Sequence, residues 1–202
     1  MTRELLQGLA RFRKDYFPRF EDHYQRLVAE GQKPRTLFVG CSDSRVVPDR
    51  FTDAAPGALF VVRNVGNIIP PFEADSSHHG VSAAIEYAVE ILGVRDIIVC
   101  GHSHCGAIRA LYEPPPNLPA HVASWLELAE AARADEPLSE ELLRRTEKRS
   151  VVLQLGRLME FPGVRERVEA GEIALHGWHY VLQEGAVHVL DYERGEFVPS
   201  GG

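Results

Sequence analysis

Asp96-Ile97-Ile98-Val99-Cys100-Gly101-His102-Ser103-His104-Cys105-Gly106 is the stretch on which the fold turns. It opens with a short, β-branched, apolar run, Asp96 to Cys100, which predicts a buried strand. The run gives way to a turn bracketed by Gly101 and Gly106 that carries an imidazole and a thiol. A second stretch has the same form: Thr36-Leu37-Phe38-Val39 runs into Gly40-Cys41-Ser42-Asp43-Ser44-Arg45. Each turn falls at the C-terminal end of a predicted strand, where open α/β sheets place their chemistry. Cys41, His102 and Cys105 together supply two soft sulfurs and one imidazole, a ligand set for one zinc ion per chain. Structural zinc sites usually close with four protein ligands, whereas catalytic sites use three and leave the fourth position to water. The remaining cysteine, Cys100, has two readings: a core residue of the apolar run, or a fourth ligand that would make the zinc structural.

A cysteine after a buried strand is often no more than a small core hydrophobe. Two turns of matching form weigh against coincidence, and two charged neighbours favour the catalytic kind of site. Asp43 can accept a hydrogen bond from metal-bound water or hydroxide, and Arg45 can fork onto that carboxylate, keeping it ionised and aimed. The plain alternative is a surface ion pair in an ordinary turn, worth about 0–1 kcal/mol. Of the nine histidines only His102 is assigned to the site. His104 is expected to point outward, His78-His79 to be a solvated pair with a proton relay as its other reading, and His176 to be structural.

Along the rest of the chain, strand and helix patterns alternate. Strands are expected near 35–40, 58–62, 96–100 and 172–178, with helices near 80–92, 105–112, 120–133 and 139–160. Gln183-Glu184-Gly185-Ala186 turns the chain into a hairpin strand near 187–192. Residues 3–30 carry helical periodicity broken by Pro18, and Pro114 to Pro119 reads as a stiff connector. The fold class is α/β: a central, mainly parallel β-sheet flanked by helices, with an N-terminal helical arm and a C-terminal antiparallel edge strand. The whole of 1–202 is expected to be one domain, with 1–31 as the arm and 32–202 as the zinc-binding core.

With 202 residues and 45% hydrophobic content, the chain can bury one substantial core. A net charge of −7 argues against a nucleic-acid partner. Three cysteines, two of them committed to metal, make a disulfide framework improbable and favour a reducing, cytoplasmic setting. No apolar run approaches the roughly 18 residues of a membrane span, and the N-terminus lacks the apolar stretch of a signal peptide.

Cys41-Ser42-Asp43-Ser44-Arg45 and Gly101-His102-Ser103-x-Cys105-Gly106, in that order and separation, resemble the two signature motifs of the β-class carbonic anhydrases. Pro56-Gly57 leading into Phe60-Val61-Val62-Arg63-Asn64-Val65-Gly66-Asn67 resembles that family's second strand and following loop. Ser82 to Ala88 resembles its next helix, and His176-Gly177-Trp178-x-Tyr180 its late strand. The likeness runs from about Gln32 to Pro199, and the spacing from Gln32 to Cys41 is similar to that of the plant-like, cyanase-associated bacterial branch. The resemblance implies reversible hydration of CO2 to bicarbonate and a proton, by zinc-hydroxide attack with Asp43 and Arg45 as an orienting dyad. It also implies a CO2 pocket walled by Phe60, Val65 and Tyr87, with Gln32 and the Gly106 N–H as donors. Tyr87 is then delivered by a neighbouring subunit, so a homodimer or a multiple of it is expected.

Two rival functions share these residues. Relatives with the same ligands hydrolyse carbonyl sulfide or carbon disulfide, and a non-catalytic zinc-stabilised or redox module would use the same thiolates. One branch of the resembling family also shuts its site by swinging the aspartate from its arginine onto the zinc. Bicarbonate stabilises that state through a tryptophan, an arginine and a tyrosine. The matching positions here are Phe38, Arg63 and Tyr180, and Phe38 has no indole N–H to offer. Arg63 and Tyr180 therefore read as structural. The expectation is an open site at neutral pH, with Asp43 on Arg45, zinc-bound water in place and activity rising with pH.

Overall fold

β1 (Thr36–Cys41) and β3 (Asp96–His102) lie side by side in parallel, Gly40 opposite Cys100, in a computed structural model that describes residues 2–75 and 77–201. Both strands are buried along nearly their whole length, which is why each reads as a continuous apolar run rather than an alternating one. β2 (Leu59–Asn64) pairs with β1 on its other side, and β4 (Ala174–Val181) pairs with β3, both in parallel. β5 (Ala186–Asp191) and β6 (Glu196–Pro199) add antiparallel to β4, giving the order β2-β1-β3-β4-β5-β6.

That order puts a switch point between β1 and β3. The chain leaving β1 goes to β2 on one side, while the chain leaving β3 goes to β4 on the other. A crevice opens outside the strand ends at such a place, and it is where β1 ends in Cys41 and β3 in His102.

The chain divides after Lys33 into two units. In the second unit, α3 (Pro48–Phe51) follows β1, and α4 (Gly80–Glu86) continues through a π segment, Tyr87–Ile91, into the approach to β3. α5 (Gly106–Ala110) and α6 (Ala120–Glu127) lead to the long α7 (Glu140–Leu158) and to α8 (Pro162–Glu169). Alternate strand residues face opposite ways. Leu37, Val39, Ile97 and Val99 therefore share one core with Ile85, Val89, Val151, Leu155 and Val164. Phe38, Ile98 and Cys100 face away from it and pack with Phe51, Trp178 and Tyr180.

In the first unit, α1 (Thr2–Arg11), a π segment (Phe12–Tyr16) and α2 (Phe17–Glu30) follow without a gap. Pro18 does not break the helical run as expected. It sits in the first turn of α2, where its missing N–H is not needed, and the preceding π segment takes up the change of ladder. Aromatic rings stack along the unit: Phe12 on Tyr16 at 5.2 Å, Tyr16 on Phe20 at 4.7 Å and Phe17 on Tyr24 at 5.4 Å. None of the residues in these helices is buried.

Two elements go beyond the sequence reading. β6 is a four-residue strand ending in proline, too short to show a period, and it forms because the turn through Gly195 lays it against β5. α8 begins Pro162-Gly163, which reads as a turn, yet Pro162 at its first position suits a helix start and buried Phe161 and Val164 hold it down.

Candidate metal centre

Cys41 closes β1, and its turn is braced from β2. Arg63 donates from Nε to the Cys41 carbonyl at 2.9 Å and from Nη2 to the Asp43 carbonyl at 2.8 Å. Arg63 is thus structural in a specific sense: it fixes the backbone on both sides of Ser42. Tyr180 pairs with His102 across β3 and β4, and its ring stacks on Phe51 at 4.5 Å. Cys41 Sγ accepts the N–H groups of Asp43 and Gly66, each at 3.4 Å. Gly66 has φ +79°, and a Cβ there would lie 3.0 Å from Ala107 Cβ, so both conformation and space require glycine. The loop carrying it is clamped by Asn64, whose amide accepts the Ile68 N–H and donates to the Ile68 carbonyl, both at 2.8 Å.

His102 is fully buried. Its Nδ1 donates to the Ser103 carbonyl at 3.0 Å, which assigns the lone pair to Nε2. Nε2 has no hydrogen-bond partner among the described residues. A buried imidazole nitrogen left without a partner is costly unless something absent from the protein atoms completes it. Ser103 is itself anchored, donating its N–H to the Tyr180 carbonyl and its hydroxyl to Gln183 while accepting the Leu182 N–H. Cys105 ends the turn at the start of α5, 1% exposed.

The donor atoms of Cys41, His102 and Cys105 all lie within 4.8 Å of one another. The hydrogen bond from Cys105, helped by the imidazole and the two backbone N–H groups, lowers the Cys41 pKa against the opposing effect of burial. The neighbouring Cys41 sulfur and burial push Cys105 up. Two sulfurs and the orphaned Nε2, which carries the imidazole lone pair, fit zinc. Cys100 stands apart. Its thiol points to the Gly101 carbonyl in the core of the opposite face, where burial raises its pKa.

Asp43 and Arg45 form a two-pronged ion pair, Nε to Oδ1 at 2.9 Å and Nη2 to Oδ2 at 2.7 Å, with the Arg45 N–H on Oδ1 at 3.0 Å. The guanidinium holds the Asp43 carboxyl well below the usual carboxylate range. Oδ2 lies 3.9 Å from His102 Nε2, so the pair stands beside the unpartnered nitrogen. Arg45 Nη2 also donates to the His104 carbonyl at 3.1 Å, tying the first ligand turn to the second. His104 itself is exposed, adopts φ +58° and turns its ring toward Glu140 at 3.5 Å.

The other residues named from the sequence are distributed unevenly. Val65 and Gly106 flank Gly66 and Cys105 and so border the ligand turns. An apolar cavity of about 400 Å³, lined by Ser42, Asn64, Val65, His121, Val122 and Trp125, opens beside them, with Trp125 Nε1 donating to the Val65 carbonyl at 2.8 Å. Phe60 pairs with Leu37 on β1, four residues back from the Asn64–Cys41 pair, and stacks on Tyr87 at 5.9 Å. Gln32 is exposed and belongs to the first unit. Of the remaining histidines, His79 is bound to Asp75 at 2.8 Å in an exposed cluster, and His176 to Asp96 at 3.0 Å.

One contributor escaped the sequence reading. Glu147 of α7 is 1% exposed and accepts the Cys105 N–H at 3.1 Å. α7 comes this close because residue 101 is glycine: a Cβ there would lie 2.8 Å from Val151 Cγ2 and 3.5 Å from the Glu147 carbonyl. Val151 is short and stiff and cannot step aside cheaply. Gly101→Ala is therefore expected to destabilise the fold by about 1–3 kcal/mol. A urea midpoint equal to that of the unaltered chain would show that α7 yields freely.

The family model for carbonic anhydrase matches residues 36–187. The carbonic anhydrase of Pseudomonas aeruginosa is 43% identical, over 97% of this chain and 90% of its own. Among solved structures, the β-carbonic anhydrase CcaA superposes with a TM-score of 0.92 at 39% identity, covering 98% of this chain and 99% of that one. A tetrameric β-carbonic anhydrase of Sordaria macrospora gives 0.79 at 27% identity, covering 94% and 96%.

Proposed function

The chain belongs to the carbonic anhydrase family, in its β class, and we propose how its own residues carry out the zinc-dependent, reversible hydration of CO2. Zinc, held by Cys41, His102 and Cys105, supplies when bound the Lewis acid that makes water a nucleophile near neutral pH. The observation that carries the reading is the buried, unpartnered His102 Nε2 between two cysteine sulfurs, with the Asp43–Arg45 pair beside it.

Asp43 is the orienting acceptor. Arg45 keeps its carboxylate ionised and immobile, so that it takes the nucleophile's proton in a hydrogen bond and leaves a lone pair facing the carbon of CO2. Val65 supplies an apolar wall at the ligand turns, and the Gly106 N–H a donor for the developing negative oxygen. Phe60 and Tyr87 stack as a pair whose tyrosine is 44% exposed, and Tyr87 is the wall that a second copy delivers. A homodimer, or a multiple of it, is the assembly this requires. The tetramer described for the Sordaria protein is compatible with it. Two ligand thiols and a third buried free thiol suit a reducing, cytoplasmic compartment. No helix among the described residues is long and apolar enough to cross a membrane.

Stopped-flow CO2 hydration by the zinc-loaded chain tests the reading. Activity is expected to disappear when a chelator strips the metal and to return on adding zinc, and the active preparation should sediment as a dimer or larger. Hydrolysis of carbonyl sulfide or carbon disulfide without CO2 hydration would instead favour the rival substrates.

A further inference from the structure

Glu147 is buried in the middle of an apolar stripe. Stepping four residues at a time along α7, Leu143, Glu147, Val151 and Leu155 share one face, and all of them are buried. A leucine at 147 would serve the core, whereas a carboxylate there carries a desolvation cost of several kcal/mol unless it is held by partners. Its partners are specific. Oε2 accepts His179 Nε2–H at 2.9 Å, and the His179 side chain is 1% exposed, with its pKa lowered by burial. Arg144 Nη2 lies 3.1 Å from Oε1, an ion pair without the directionality of a hydrogen bond. The remaining bond of Oε1 goes to the backbone N–H of Cys105. His179 sits opposite Gly101 on the neighbouring strand, so the carboxylate bridges α7, β4 and the second ligand turn.

We propose that Glu147 is a positioning residue of the metal centre: held by His179 and Arg144, it grips the Cys105 N–H and thereby sets the thiol where it meets Cys41 and His102. This rests on the reading of Cys41, His102 and Cys105 as zinc ligands. Its consequence is a metal affinity that depends on a residue touching neither metal nor substrate. Outer partners of this kind typically shift metal affinity by 10–100-fold.

The experiment compares Glu147→Met, which keeps the bulk and loses the acceptor, with Glu147→Gln, which keeps an oxygen for the Cys105 N–H. Zinc dissociation constants are measured by chelator competition, and cobalt(II) is titrated to read the thiolate-to-cobalt charge-transfer and ligand-field bands. Glu147→Met is expected to weaken zinc binding by about 10–100-fold and to shift the cobalt bands. Glu147→Gln should stay within about fivefold of the unaltered chain, with its spectrum retained. A folded Glu147→Met with unaltered affinity and spectrum would overturn the proposal, as would a Gln variant as impaired as the Met variant. Should Glu147→Met fail to fold, His179→Asn decides: it frees the carboxylate and is expected to weaken zinc and shift the bands, and unaltered values there overturn the proposal. Cobalt bands present but indifferent to these changes sink the positioning role alone. Their absence from the unaltered chain sinks the zinc-site reading and this inference with it.

Discussion

Cys105→Ser is expected to lose bound zinc and CO2 hydration together, while Cys100→Ser keeps both. Serine places a weakly acidic hydroxyl where zinc needs a soft anionic donor, and only two protein ligands remain from a set of three. The drop in zinc affinity should exceed the 10–100-fold typical of outer partners, leaving the purified protein substantially metal-free. Cys100 faces the opposite side of the sheet, with its thiol on the Gly101 carbonyl, and its loss removes one weak hydrogen bond in the core. Metal analysis of the two purified variants decides the matter. Equal zinc loss in both would mean a closed four-ligand site, and the catalytic assignment would fall.

Asp43→Asn should lower kcat/KM by about 10²-fold or more with zinc content unchanged, equivalent to about 2.7 kcal/mol of transition-state stabilisation. The amide keeps the size of the carboxylate but not its charge, and Arg45 would draw its one oxygen away from the nucleophile. Arg45→Ala should cost about 10–100-fold, because the carboxylate stays but is no longer held at two points. It also releases the tie to the His104 carbonyl, so a small loss of stability should accompany the kinetic one. Either variant hydrating CO2 within about threefold of the unaltered rate would reduce the pair to a surface ion pair of the usual small worth.

The ligand turns and the parallel strands leading into them were legible because strand runs and glycine-bracketed turns are local patterns. Glu147 was not. In the stretch Glu140 to Lys148 it is one of several charges on a helix, and it becomes exceptional only once α7 is seen to bury the face it shares with Leu143 and Val151. The usable signal was there: a single carboxylate interrupting a four-residue apolar step. Arg63 looked structural for lack of a bicarbonate partner, and proves so for a different reason, its two bonds to the ligand-turn carbonyls. β6 and α8 escaped because each depends on where the rest of the chain lies, not on a period of its own. Phe60 and Tyr87 were named by resemblance, and their stacking on each other, four residues back from the strand end, is a tertiary fact that spacing could not express.

His104 has a backbone φ of +58°, a left-handed conformation set between two ligands. Residues branched at Cβ are true outliers in that region, whereas glycine, asparagine, aspartate and histidine enter it more readily. The ring of His104 faces Glu140, so what the turn asks of this position is a torsion angle and not a side chain. A pattern written His-x-x-Cys treats the second x as free. Here that letter is a restricted alphabet, and a search that admitted valine or isoleucine there would collect chains that match the motif on paper yet cannot bend the second turn back to bring its cysteine to the metal.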